Sequence, residues 1–267
     1  MKRRNFVKAS LLTGSVAGFV PQATMASVNK ETQQSANQEF YELRVYTLKN
    51  GRQQKLVEGY FQNALIPAMN KLGSKNIGVF TEYLAQGHTK LFALIPYNSA
   101  DDFLKASEKM AGDAAYKQGA AAYLEAQATE PAYERIESSF FRAFALMPKM
   151  EVPEKKQRIF ELRRYESHNE TAGKKKIEMF NEGGEIAIFK RVGLTPVFFG
   201  EALIGAMLPN LTYMLTFDDM PEHDKNWKTF ISDPEWKKIS GMPEYANDKI
   251  VSNITRTFLI PTAFSQV

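Results

Sequence analysis

The sequence predicts an α+β fold: two tandem ferredoxin-like βαββαβ repeats whose sheets pack on each other as a barrel within one chain. Three observations carry this. The chain of 267 residues is long enough for two units of about 120. Its two halves repeat one another in order. Each half reads β-α-β-β-α-β, a unit that covers one sheet face with helices and leaves the other bare. Two bare faces in one chain can bury each other.

The repeat is read from four matches. Phe40-Tyr41-Glu42-Leu43-Arg44-Val45-Tyr46 recurs 119 residues later as Ile159-Phe160-Glu161-Leu162-Arg163-Arg164-Tyr165. Leu91–Leu94 answers Leu211–Met214, and Asp113–Lys117 answers Asp233–Lys237, both at an offset of 120. Arg142–Pro148 answers Arg256–Pro261. The resulting boundaries are residues 40–148 for the first repeat, a linker at 149–157 and residues 158–267 for the second.

Within the first repeat, Phe40–Leu48 alternates and is β-rich, so it is a strand. Asn50-Gly51 closes it. Gln53–Leu72 places Leu56, Tyr60, Phe61, Ala64, Leu65 and Ala68 at helical spacing, with Pro67 kinking or ending the helix. Ile77–Leu84 and Lys90–Pro96 form a hairpin. Ser99 opens a helix through Met110, with Asp101 and Asp102 in its first turn. An Ala-rich helix runs from Asp113 to about Ala128, and Ile136–Leu146 is the last strand. The second repeat follows this plan, with strands near 158–167, 196–204, 210–217 and 251–260.

The N-terminus reads as an export signal. Lys2-Arg3-Arg4-Asn5-Phe6-Val7-Lys8 precedes a weakly apolar stretch from Ala9 to Val20, too short and polar to span a bilayer. The paired arginines, Phe6 and Lys8 match a twin-arginine signal, with cleavage expected near Ala26. Residues 27–39 are polar and read as a disordered leader. The expected destination is the periplasm or the medium, with no stable membrane span.

Charge and cysteine content exclude several classes. Of 34 basic residues, four lie in the first 26 positions, which hold no acid. The other 241 residues therefore carry 30 basic and 30 acidic side chains. The basic excess belongs to the removable signal, and no nucleic-acid partner is expected. With no cysteine, disulfides, thiolate nucleophiles and iron–sulfur clusters are ruled out.

The Glu-Leu-Arg-x-Tyr opening of each half, the Leu48-Lys49-Asn50-Gly51 lead into a helix, and the later Asp233, Trp236, Lys237 cluster resemble the NIPSNAP family. The resemblance covers residues 40–262. It implies the dimeric α+β barrel class, which includes haem enzymes, cofactor-free monooxygenases and isomerases, and modules with no known chemistry. Eukaryotic members are mitochondrial and linked to protein partners, and the export signal sets this chain apart from them.

Strand alternation sorts the repeated motif into two faces. Tyr41, Leu43 and Val45 are expected to meet the helices. Glu42, Arg44 and Tyr46, with Glu161, Arg163 and Tyr165, are expected to line the barrel interior, joined by Arg142 and Arg256. Such an interior suits a small polar or carboxylate-bearing ligand bound by the arginines. A buried Glu can act as base and a Tyr can donate a proton. The alternative is that Glu and Arg pair across the sheets and fasten the halves.

The three histidines, His88, His168 and His223, have no metal-ligand spacing, so no metal site is expected. A lone histidine as axial haem ligand is what the barrel class allows, and His168 stands out because it follows Tyr165 at a strand end. Trp227, Phe230 and Trp236 read as core packing, or else as an aromatic platform. The first functional reading is an exported small-molecule-binding protein, with cofactor-independent catalysis as its enzymatic form. The second is a non-enzymatic protein-interaction module, and the third a haem-binding oxidoreductase. A homo-oligomer is compatible with any of these.

Overall fold

The computed structural model describes residues 38–85 and 89–267. The export signal, most of the leader and His88 lie outside the described residues. Eight strands form the frame: β1 (Phe40–Leu48), β2 (Gly78–Glu82), β3 (Thr89–Tyr97), β4 (Arg135–Ala143), β5 (Ile159–Glu166), β6 (Thr195–Ile204), β7 (Asn210–Phe217) and β8 (Asn253–Pro261). They close into one antiparallel barrel in the order β1-β3-β2-β8-β5-β7-β6-β4. Each repeat contributes four neighbouring strands. The repeats are joined at two seams, β2 with β8 and β4 with β6. Closure therefore pairs the sheet edges as well as covering the bare faces, and leaves no open edge.

The barrel interior holds an apolar cluster beside a cavity of about 270 Å³, which Glu137, Arg164 and Thr212 line together with Leu43, Phe92 and Leu162. Tyr41, Leu43, Phe80, Phe92, Phe141, Phe160, Phe198 and Leu259 form one buried cluster drawn from both repeats. Phe80 meets Phe160 at 4.9 Å between ring centroids, and Tyr41 meets Phe198 at 5.1 Å, each across the repeat boundary. Burying such a side chain contributes roughly 1.5–3 kcal/mol, so this interior holds the halves together. The expected facing of β1 and β5 is thus reversed. Tyr41 and Leu43 point inward, with Val45 packed beside them, while Glu42, Arg44 and Tyr46, like Glu161, Arg163 and Tyr165, face the helices. The reason is mutual: eight strands present their apolar sets to one another, and the inward pair Arg164–Glu166, 2.9 Å apart, lies at the end of β5, where it stays partly exposed.

Helices cover the outside of each half-sheet and make two further apolar cores. In the first repeat, α1 (Gly51–Tyr60) passes through a π-turn, Phe61–Leu65, into α2 (Ile66–Lys71). The Ile66 N–H reaches back five residues to the Phe61 carbonyl. That register shift sits just before Pro67, which has no N–H to offer. Asn50 caps α1 by accepting from the Gln53 N–H at 3.0 Å. Next come α3 (Ala100–Ala111) and α4 (Ala114–Leu124); α4 ends short of the expected Ala128.

The second repeat carries α5 (Glu170–Phe180), α6 (Glu185–Arg191), α7 (Met220–Ser232), α8 (Pro234–Ser240) and α9 (Asn247–Ile250). Asn169 caps α5 as Asn50 caps α1. The repeats diverge at α4 and α8. At an offset of 120, α8 stops at the position of Ala120, whereas α4 continues to Leu124. Among the described residues no helix is long and apolar enough to cross a membrane.

Candidate functional site

Strand β5 sets Glu161, Arg163 and Tyr165 on the face beneath the helices. Helix α7 is capped by Asp219, whose carboxylate accepts from the Glu222 N–H at 2.8 Å. Its first turns carry His223 and Trp227, one helical turn apart, toward the same face. The two elements meet at Glu161, which is 0% exposed. Arg163 Nη1 donates to Glu161 Oε1 at 2.7 Å and Trp227 Nε1 donates to Oε2 at 2.9 Å. His223 Nε2 stands 3.4 Å from the same Oε2, off hydrogen-bond geometry.

The surroundings set the charge states. Burial alone would raise the Glu161 carboxyl, but His223, Arg163 and Trp227 together bring it below its ordinary value. Burial would lower the His223 imidazole, yet Glu161 on one nitrogen and Asp224 on the other, 2.8 Å from Nδ1, bring it above. The Arg163 guanidinium lies 4.5 Å over the Trp227 ring, and its Nη2 donates to the Tyr165 hydroxyl at 3.0 Å. Its Nε is buried without a partner.

These groups form the inner wall of a cleft of about 780 Å³ between the second repeat's sheet and its helices. Phe230 is buried in the second repeat's core and Trp227 and Trp236 pack against it, so the core packing expected of these rings holds, and all three also border the cleft. Arg256, Lys228 and Lys237 line the cleft as cations, and among the described residues none is ion-paired. Lys176 and Glu185 also border it, paired at 2.9 Å and both almost fully buried. Burial pushes the Glu185 carboxyl up, with Lys176 opposing. A wall of rings with unneutralised cations suits a planar molecule bearing a carboxylate.

The first repeat holds the same motif differently. Glu42 accepts from Arg44 at 2.6 and 2.9 Å, from Tyr97 at 3.0 Å and from Ser138 at 2.8 Å. Burial would raise its carboxyl, but these donors, Arg44 foremost, bring it below its ordinary value. In each repeat the Glu–Arg pair lies within one strand, two residues apart, and does not cross between the halves. Around Tyr46 lie Tyr133, Tyr123 and, stacked on Tyr123, Tyr60. Tyr116 joins Tyr60 through their hydroxyls at 3.1 Å. Gly119 lets α4 settle there, since a Cβ would lie 2.6 Å from the Asn63 carbonyl oxygen. The second repeat has Ile239 at that offset, buried in its own core.

Other expected residues fall outside. Arg142 pairs with Glu201 at 2.6 Å, away from the cleft. Strand register sets Arg256 opposite Arg163 and Arg142 opposite Phe40. Arg256 is therefore equivalent to Ser138, and the two arginines are not counterparts. His168 is exposed in the turn between β5 and α5. Neither described histidine suits haem: His168 borders no part of the cleft, and both nitrogens of His223 face carboxylates. Among the described residues no group of three acidic or histidine side chains could hold a metal ion. His223 is the residue that sequence reasoning undervalued, and its signal was Trp227 four positions on.

A closed barrel of two ferredoxin-like repeats, with an aromatic and cationic cleft under one set of helices, defines a dimeric-type α+β barrel protein built in a single chain. The NIPSNAP family model matches residues 41–148 and 160–266, once in each repeat. The chain belongs to the NIPSNAP family. Two solved structures share the fold, each described as a "putative monooxygenase". The one from Lactobacillus acidophilus is 9% identical, covering 84% of this chain and 94% of its own, with a TM-score of 0.56. The one from Fusobacterium nucleatum is 10% identical, covering 84% and 93%, with a TM-score of 0.53. A NIPSNAP-like domain protein from Burkholderia xenovorans is 20% identical over 40% of this chain and 88% of its own, with a TM-score of 0.36. No curated protein sequence matches the chain.

Proposed function

We propose that the mature chain works outside the cytoplasm and binds a small aromatic or planar molecule bearing a carboxylate, in the helix-covered cleft of its second repeat. Export rests on Arg3-Arg4, Phe6 and Lys8, with removal of the signal near Ala26. The ligand class expected from the arginine content is retained, and its place moves from the barrel interior to the cleft. The observation that carries the reading is the coincidence, in one cleft of about 780 Å³, of Arg256, Lys228 and Lys237 with the rings of Trp227 and Trp236. The buried Glu161–His223 pair adds a group able to hold or release a proton at the wall, which is the enzymatic form of the reading.

The test uses the protein's own reporters. The chain has two tryptophans, and both line the cleft. Titration of the mature protein with 4-hydroxybenzoate should change its intrinsic fluorescence saturably, and the neutral 4-hydroxybenzamide should bind less well. A panel of aromatic carboxylates that leaves the emission unchanged, with no heat of binding, would refute the reading.

A further inference from the structure

The Lys176–Glu185 pair is more than a fastener of the second repeat. Lys176 is 4% exposed and Glu185 2%, yet both border the cleft. Nζ lies 4.4 Å from the Phe180 ring centroid and 5.4 Å from that of Tyr165. A buried ion pair is a poor device for stability alone, since desolvation offsets most of the attraction. The sister repeat makes the comparison directly. At an offset of 119, Lys176 and Glu185 fall on Val57 and Ile66, both buried in the first repeat's core. An apolar pair therefore suffices to pack these helices on this sheet. The ionic pair occurs in the repeat with the cleft, and the apolar pair in the repeat filled by tyrosines.

We infer that Lys176 is a covalent carbonyl-binding residue: its amine condenses with the carbonyl of an aromatic 2-oxo acid seated in the cleft. The inference rests on the proposed ligand class and deepens it. The cations Arg256, Lys228 and Lys237 suit the carboxylate, the tryptophans the ring, and Lys176 the adjacent carbonyl. In the step, the amine lone pair forms a C–N bond to the carbonyl carbon and one of the two amine protons passes to the carbonyl oxygen, giving a hydroxyl. Glu185 accepts the second amine proton and returns it to the departing hydroxyl. Water leaves and a C=N bond remains, with no oxidant or reductant consumed. Burial raises the Glu185 carboxyl, which suits it to take up a proton and give it back.

The experiment treats the mature protein with phenylpyruvate and sodium cyanoborohydride, then maps modified lysines by mass spectrometry. Isothermal titration measures phenylpyruvate binding in parallel. The expected result is a reduced adduct on Lys176, at least tenfold less abundant at that position in Lys176→Arg. A slower yield is expected in Glu185→Gln. Binding without an adduct on Lys176 overturns the inference and leaves the cleft reading standing; absence of both overturns both. An adduct formed equally at position 176 and at surface lysines also overturns it. If Lys176→Arg fails to fold, Lys176→Val with Glu185→Ile restores the apolar pair of the first repeat. That double variant should fold by circular dichroism and bind without a site-specific adduct, and an undiminished adduct on the same helix would contradict the assignment.

Discussion

Tyr60 and Tyr123 stack with ring centroids 4.0 Å apart and planes 10° from parallel. They pack with Tyr133 beside Tyr46 in the first repeat, whereas the matching Tyr165 of the second repeat borders the cleft. Two copies of one motif have thus been used in two ways. One copy is packed around Tyr46, and in the other the partners of Glu161 border a cleft.

Removing that stack should test the division. Tyr60 is buried at 6% exposure, and Tyr60→Ala should destabilise the protein by about 3–5 kcal/mol, read from the urea midpoint. Affinity for 4-hydroxybenzoate, measured where the variant remains folded, should stay within about twofold. A comparable loss of affinity would place a ligand contact in the wrong repeat.

Arg256 is exposed and lines the cleft, whereas Arg142 is paired with Glu201 elsewhere. Arg256→Ala should weaken carboxylate binding about tenfold, equal to about 1.4 kcal/mol. Its stability should change by less than about 0.5 kcal/mol. Arg142→Ala should leave binding unchanged. Equal effects of the two variants on affinity would argue against the register-based assignment.

The Glu161–His223 pair predicts a pH dependence. The folded His223 imidazole is raised, so the folded state favours its protonated form. Its contribution to stability is complete below the usual imidazole value of about 6.5 and is lost as pH rises through the raised one. Glu161 is lowered. Its contribution is complete above the usual carboxylate value of about 4.3 and is lost as pH falls through the lowered one. Anion affinity should follow the imidazolium, holding past the usual imidazole range and then declining as pH rises. A titration of 4-hydroxybenzoate affinity against pH should show this step in the wild type and lose it in His223→Gln. A step that persists in the variant would assign it to another group.

Export is tested apart from binding. Arg3→Lys with Arg4→Lys should leave the full-length precursor inside a bacterial host that has the twin-arginine route. The unaltered chain should yield a mature form beginning near Ser27. Cell fractionation and N-terminal sequencing read both, and export of the double variant would remove the basis for the proposed location.

The barrel was legible in the sequence because Glu-Leu-Arg-x-Tyr recurs in register with three later segments. The direction of its faces was not. Both faces of β1 carry a tyrosine, Tyr41 on one and Tyr46 on the other, so alternation separates two sets without saying which goes inward. Only the other seven strands decide it, through contacts such as Phe80 with Phe160. The last strand misled for a related reason. Matching Arg142 to Arg256 follows residue identity, while hydrogen-bond register pairs Arg256 with Arg163.

Other parts of the site were hidden by local context. His223 follows Pro221-Glu222, which reads as an exposed helix start, and its burial depends on how α7 docks on β5. Lys176 ends a run of three lysines that looks solvated. Its alignment with the apolar Val57 was the available signal that this lysine lies on a buried face.

The central claim is that the ligand sits in the second repeat's cleft and not in the barrel. A crystal structure of the mature protein grown with saturating 4-hydroxybenzoate tests it most directly. The account predicts electron density for the ring between Trp227 and Trp236, with its carboxylate toward Arg256. Density among Phe80, Phe160 and Leu259 inside the barrel, or around Tyr46 in the first repeat, would contradict it.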